Sequence, residues 1–258
     1  MMILFGFLGA MLFLFIILPV INTCLQASPE ALLKVAMDPE VQVAIFMSIF
    51  SATITTCIAL AFGIPLAYIL ARTKFFGKNF VDAFIDIPIL LPHTVAGIAL
   101  LSLFGPYAPI GKPLSVVKIY FTDHLLGIVI AQLFVSAPFL IRAARESFEL
   151  IDPSLEKVAR TLGATQSSAF LKVTLPLASR GILTGCVLAW ARAISEFGAV
   201  IILSFYPFTA PVLIWKRFVG EGLNAARPIA VLLIFVTFLA FIFLRLLRAR
   251  PIKIFART

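Results

Sequence analysis

The sequence predicts an all-α, polytopic membrane protein with six transmembrane helices and a further helical segment on the cytoplasmic side, between the fourth and fifth. Three observations lead there. The 258 residues are 62% hydrophobic with a mean hydropathy of +1.10, and only 13% are charged, against roughly 25% in an average soluble domain. Six separate runs are apolar enough, at about 18 residues or more, to cross a hydrocarbon layer of about 30 Å as helix. Cations cluster in alternate loops. No remaining stretch is long enough for a second folded domain, so residues 1–258 are expected to form a single transmembrane domain.

The first run, Met2 to Ile21, has no Lys or Arg ahead of it and exceeds the roughly 7 to 15 residues of a signal-peptide core, so it reads as a retained helix. The second, Val43 to Ala71, places Ser48, Ser51 and Thr55 on one face, and the fourth, Leu125 to Ile141, places Gln132 and Ser136 together. These five are candidate pore linings, although hydroxyls also satisfy carbonyls within their own helix. The third run is Phe84 to Phe104. Pro65, Pro88, Pro92 and Pro138 are expected to bend their helices. The fifth run, Leu177 to Leu203, carries Gly181, Gly185, Ala189 and Ala193 every four residues, a small-residue ladder that admits a close helix neighbour. The sixth runs from Pro228 to Leu247.

Orientation follows from the Lys and Arg bias of cytoplasmic loops. Fourteen cations fall in the second loop, the fourth loop and the C-terminal tail, which includes Arg250, Lys253 and Arg257; six fall on the other side. Both termini are therefore expected in the cytoplasm of a cell-membrane protein. That bias accounts for most of the net charge of +9 without any nucleic acid. On the outer loops, Lys112, Lys118, Lys216, Arg217 and Arg227 outnumber Asp123 and Glu221, a surplus that would favour an arriving anion.

Cys24, Cys57 and Cys186 are odd in number and widely spaced, and His93 and His124 lack a second ligand at metal-binding spacing, so no metal site or disulfide framework is expected. No Gly-x-x-x-x-Gly-Lys-Ser/Thr, His-Glu-x-x-His or Gly-x-Ser-x-Gly motif occurs. An enzyme is not indicated, and the chain is not expected to bind or hydrolyse ATP itself.

The fourth loop, residues 152–176, carries helix punctuation. Asp152 can cap, Pro153 suits a first helical position, and Leu155, Val158, Ala159 and Leu162 recur at i, i+3, i+4 and i+7. Gly163 suits a terminus needing positive φ, Ala164 to Gln166 form a polar turn, and Leu175-Pro176 is a natural joint to the fifth run. The apolar stripe is expected to face the bundle.

These residues resemble the Glu-Ala-Ala loop of ATP-binding-cassette importer permeases. The matching positions are Lys157-Val158-Ala159, then Gly163, then Val173-Thr174-Leu175-Pro176. The family places Glu where Lys157 stands and Ala where Val158 stands. Glu156 is one residue out of register, rotated about 100° around a helix, so the family's acidic role is not carried to it. The stretches Ile87 to Gly97, Ser195-Glu196-Phe197-Gly198-Ala199 and Asn224 to Val231 are similar to permeases for molybdate, tungstate and sulfate. The resemblance implies a type I importer fold in which Lys157, Val158, Ala159, Gly163, Ala164, Thr165, Gln166, Leu175 and Pro176 form the coupling segment. It implies two ATPase subunits that use ATP and Mg, a second permease copy, an extracytoplasmic binding protein, and an oxyanion cargo. Molybdate or tungstate is the first expectation, with a homodimer; sulfate is the alternative.

Arg192 and Glu196 are ionisable groups at membrane depth, which persist there when paired, hydrated or useful. Four residues apart, they are expected to pair, and with Ser195, Phe197 and Gly198 they are the gate candidates on the fifth run.

Overall fold

The computed structural model describes residues 1–249, the last seven by their backbone alone. The tail cations Arg250, Lys253 and Arg257 lie outside the described residues. In chain order the helices are α1 (Met2–Leu25), α2 (Pro29–Ala36), α3 (Pro39–Arg72), α4 (Lys78–Leu90), α5 (His93–Phe104), α6 (Gly111–Val116), α7 (Leu125–Glu149), α8 (Ser154–Thr161) and α9 (Gln166–Ala169). A π-helical turn, Phe170–Thr174, follows, and then α10 (Leu175–Ile194), α11 (Gly198–Leu203), α12 (Ala210–Glu221) and α13 (Leu223–Ala249). Among the described residues five helices are long and apolar enough to cross a membrane, and α4 with α5 makes a sixth span if the bent pair is taken as one.

Two of the six runs are not continuous helices. The third begins earlier than expected, at Lys78, and bends by 113° between α4 and α5. Pro92 is the cause: it has no N–H and biases Leu91 to extended backbone, which Leu91 adopts at φ −73° and ψ 137°. Pro65, Pro88 and Pro138 lie inside helices that continue through them. The fifth run breaks at Ser195 to Phe197, separating α10 from α11.

The chain divides into two compact units. The first comprises residues 1–46 and 208–238. Its core is Val41, Ala44, Leu213 and Ile229, with Val35 and Leu232 against it. Helix α2 starts where the Ser28 hydroxyl accepts the Ala31 N–H and Pro29 fills the first turn. No residue of α1 is buried, and the helix is apolar on every side, as a helix surrounded by membrane is. Within this unit Arg217 pairs with Asp38, Glu40 and Glu221, and Lys216 pairs with Glu40 at 2.7 Å. The cationic surplus expected for Lys216 and Arg217 is thus largely neutralised, because Asp38, just before α3, and Glu40, in its first turn, supply two carboxylates that a loop-by-loop count leaves out.

Among the described residues the second unit comprises 47–207 and 239–249. Its main packing is α7 against α10, and most of the small-residue ladder is the contact: a Cβ added at Gly185 would fall 2.9 Å from the Ala143 Cβ, and Ala189 clusters with Leu140 of α7, while Ala193 clusters with Ala52 of α3. Real Cβ atoms do not approach so closely, so the two backbones touch where only glycine fits. Helix α5 meets α11 as tightly, with a Cβ on Gly97 falling 2.8 Å from the Ile202 Cβ.

Candidate functional site

Helix α8 is delimited as its punctuation predicts. The Asp152 carboxylate accepts the Ser154 N–H at 2.8 Å, which holds that carboxyl below its ordinary pKa through the backbone and hydroxyl of Ser154. Gly163 ends the helix at φ +92°, a left-handed conformation that costs an ordinary residue about 1–2 kcal/mol. The Thr165 hydroxyl then caps α9 by accepting the Ser168 N–H at 3.2 Å. Leu175-Pro176 is not the expected joint. The chain stays helical through it, because Pro176 occupies the first turn of α10, where no N–H is needed. The irregularity lies just before, in the π turn, where the Leu175 N–H reaches the Phe170 carbonyl five residues back.

The faces of α8 are opposite to expectation. Leu155, Val158 and Leu162 are 44%, 56% and 84% exposed, and of the stripe only Ala159 is half-buried. Lys157, Gly163, Thr165 and Gln166 are exposed, while Ala164, Leu175 and Pro176 are half-buried. What turns inward is Glu156, with a side chain 15% exposed.

Three side chains from two elements meet Glu156. Its Oε2 accepts the Tyr68 hydroxyl of α3 at 2.7 Å, its Oε1 accepts the Thr174 hydroxyl of the π turn at 2.6 Å, and the Arg72 Nε lies 3.3 Å from Oε1. Arg72 in turn donates to the Ile151 carbonyl at 2.9 Å. The Tyr68 ring packs edge-on against Phe148 of α7 and Phe170 of the π turn, at 5.5 and 4.7 Å, over a core of Ala67, Ala144, Phe148, Ala178 and Ile182. Burial alone would raise the Glu156 pKa; the hydrogen bonds from Thr174 and Tyr68 and the charge of Arg72 outweigh it and hold the carboxyl below its ordinary value. The carboxylate is therefore ionised and fully engaged. Sequence reasoning passed over this acid because its register differs from the family pattern. The available signal was an acid on the helix face opposite an apolar stripe, with Tyr68 and Arg72 one turn apart at the end of the second run.

A second charged cluster fills the break in the fifth span. The Arg192 Nη2 meets the Glu196 Oε2 at 2.5 Å, and Glu196 is 1% exposed. A break leaves the first N–H groups of α11 without helical partners, and the Glu196 Oε1 accepts one of them, from Ala199, at 2.7 Å. Across from it, at the start of α5, the His93 Nδ1 lies 3.0 Å from the Arg192 Nη2 and 3.7 Å from the Glu196 Oε2. Gly198 is required there, since an added Cβ would fall 2.6 Å from the His93 Cβ. Ser195 is exposed and donates to the Arg192 carbonyl; Phe197 is half-buried.

Ser48, Ser51, Thr55, Gln132 and Ser136 have no exposure in this structure. The Thr55 hydroxyl donates to the Gln132 Oε1 at 3.1 Å, and the Ser51 hydroxyl to the Ser48 carbonyl at 3.3 Å. They form a buried polar seam between α3 and α7, distinct from the cluster at the break.

The family described as the binding-protein-dependent transport system inner membrane component matches residues 63–253. A molybdate/tungstate transport system permease protein of Pyrococcus furiosus is 46% identical over 248 residues, covering 95% of this chain and 94% of the relative. A probable sulfate transport system permease protein of Chlorokybus atmophyticus is 36% identical over 213 residues, covering 80% of this chain and 74% of the relative. The crystal structure of a bacterial ABC transporter that imports alginate superposes with a TM-score of 0.77 at 17% identity, covering 97% of this chain and 96% of that one. At that identity the likeness is one of fold.

Proposed function

The chain belongs to the family of binding-protein-dependent transport system inner membrane components, and from that premise we propose that it forms the membrane pathway of an ATP-driven importer of molybdate or tungstate. The observation that carries the reading is the outward apolar stripe of α8, Leu155, Val158 and Leu162. Three large apolar side chains on a short helix gain little in water and much in a cleft of another protein, where each fully covered side chain contributes about 1.5–3 kcal/mol. The occupant of that surface is a separate ATPase subunit, two of which serve a pair of permease copies. The cargo comes from the likeness to the molybdate/tungstate permease, over nearly the whole of both chains.

In this reading α8 and both termini are cytoplasmic, in keeping with the cation distribution. ATP and Mg are bound and used by the ATPases, and a binding protein delivers the anion on the other side. Closure of the ATPases pushes the two α8 helices and biases the same two-state equilibrium that binding-protein docking biases. The broken fifth span, with Arg192, Glu196 and His93, is the gate region, since irregular backbone at membrane depth belongs where a pathway is lined. Sulfate is the second reading, supported by the likeness to a sulfate permease at lower identity.

The test is uptake in proteoliposomes containing the permease, its ATPase and its binding protein. Molybdate and tungstate are expected to accumulate with ATP and to compete with each other, with sulfate ineffective at equal concentration. Val158→Glu with Leu162→Glu is expected to release the ATPase. Uptake of sulfate in preference to molybdate would favour the second reading, and an undiminished ATPase association in the double variant would contradict the docking surface.

A further inference from the structure

The coupling surface has a back as well as a front. Among the described residues, the inward face of α8 offers one long side chain, Glu156, and this carboxylate binds two elements of the second unit at once: α3 through Tyr68 and Arg72, and the approach to α10 through Thr174. Beyond that carboxylate, α8 touches α9 and the π turn through small or half-buried residues such as Ala159 and is continued by the short connections at 150–153 and 162–165. A force applied to Leu155, Val158 and Leu162 would roll a helix held by its ends alone. Held by a charge-assisted carboxylate to two membrane helices, the same helix carries them with it.

We propose that Glu156 is the positioning residue that locks α8 to α3 and α10, so that movement of the ATPase is delivered to both membrane helices rather than absorbed by rotation of α8. This rests on the reading of α8 as the ATPase-docking helix and adds the route by which its motion leaves. The π turn belongs to the device. It inserts one residue into an otherwise continuous helix and ends on Thr174, which has no exposure and donates at 2.6 Å to Glu156. Tyr68 is held from behind by Phe148 and Phe170, so the hydroxyl that meets Glu156 is fixed to α7 as well. Two hydroxyls and a guanidinium from 18 to 88 residues away converge on one carboxylate. A helix that had only to lie against the bundle could do so with its apolar stripe, yet it turns that stripe outward.

The experiment compares molybdate taken up per ATP hydrolysed in proteoliposomes of the full complex carrying Glu156→Ala, Tyr68→Phe or Thr174→Val. Co-purification of the ATPase is measured alongside, because loosening the back of α8 is expected to leave its front bound. The expected result is an intact complex that still hydrolyses ATP, with transport per ATP lowered about tenfold in Glu156→Ala, the size of one ordinary coupling free energy. Tyr68→Phe and Thr174→Val are expected to lower it severalfold each, and neither is expected to lower it further in the Glu156→Ala background, since residues of one lock are not additive. Glu156→Asp is expected to recover part of the loss. A merely structural role would lower uptake and hydrolysis together and leave their ratio alone. If Glu156→Ala does not assemble, the two hydroxyl variants decide, and an unchanged ratio in both overturns the proposal. A wild-type chain that recruits no ATPase would overturn the docking reading and the lock with it; wild-type coupling with an unchanged ratio in Glu156→Ala overturns the lock alone.

Discussion

Glu156 and Glu196 are both sheltered acids paired with arginine, but their closest partners come from different distances. Glu196 makes its two short contacts within its own neighbourhood, to Arg192 four residues before it and the Ala199 N–H three residues after it, while the distant His93 stands farther off at 3.7 Å. Glu156 is 88 residues from Tyr68 and 18 from Thr174. A local knot fixes the shape of one segment, here the break between α10 and α11. A long-range knot fixes segments to one another. In the proposed mechanism the first would suit a gate that keeps its form while helices move around it, and the second the lever that moves them.

The sharpest way to break this comparison is to remove each acid and ask where the damage appears. Glu196→Ala leaves a half-buried Arg192 without its carboxylate, and breaking a buried pair costs up to about 3–5 kcal/mol, so the detergent-solubilised chain is expected to unfold more readily in a denaturant titration. Removing Arg192 as well is expected to cost less than Glu196→Ala alone, because no uncompensated charge remains. Glu156→Ala loses charge-assisted hydrogen bonds worth about 1.5–3 kcal/mol, and the loss is expected to appear as mobility of α8 under spin labelling at exposed Lys157 rather than as global unfolding. Equal global destabilisation by the two substitutions would erase the distinction.

Smaller effects sharpen it. Gly163→Ala forces a side chain to φ +92° at a cost of about 1–2 kcal/mol, and is expected to fray the end of α8 without touching the Arg192–Glu196 pair, which a thermal midpoint lowered by only a few degrees would register. The smallest effect is on pH. The Glu156 carboxyl sits below its ordinary value of 4.5, so its contribution is fully present above that value and is lost as the pH falls through the depressed one. Mobility of the Lys157 label is therefore expected to be flat from neutral pH down to about 4.5 and to rise only below it; a rise between pH 7 and 5 would contradict the account.

The same difference in distance governs what the sequence disclosed. The six runs, the ladder at Gly181 to Ala193, the caps of α8 and the pair at Arg192 and Glu196 are periodic or local patterns, and the residues that make them lie within a few positions of one another. Pro92 marked the place of the bend between α4 and α5 but not its 113°, and the break at Ser195 to Phe197 falls inside an apolar run, where composition gives no sign that a helix has stopped. The outward turn of Leu155, Val158 and Leu162 was hidden for another reason: an apolar stripe is ordinarily drawn to a core, and only the partners of Glu156, brought together by the fold, show that the polar face has the stronger claim to the interior. His93 is a similar case, since its place beside Arg192 depends on α5 folding back after the bend.

The most direct measurement is cysteine crosslinking from successive positions of α8 in a cysteine-free background of the assembled complex. The account predicts crosslinks to the ATPase from Val158→Cys and Leu162→Cys, and none from Ala159→Cys on the half-buried face. Crosslinks from Ala159→Cys in place of the other two, or from none of the three in an active complex, would contradict it.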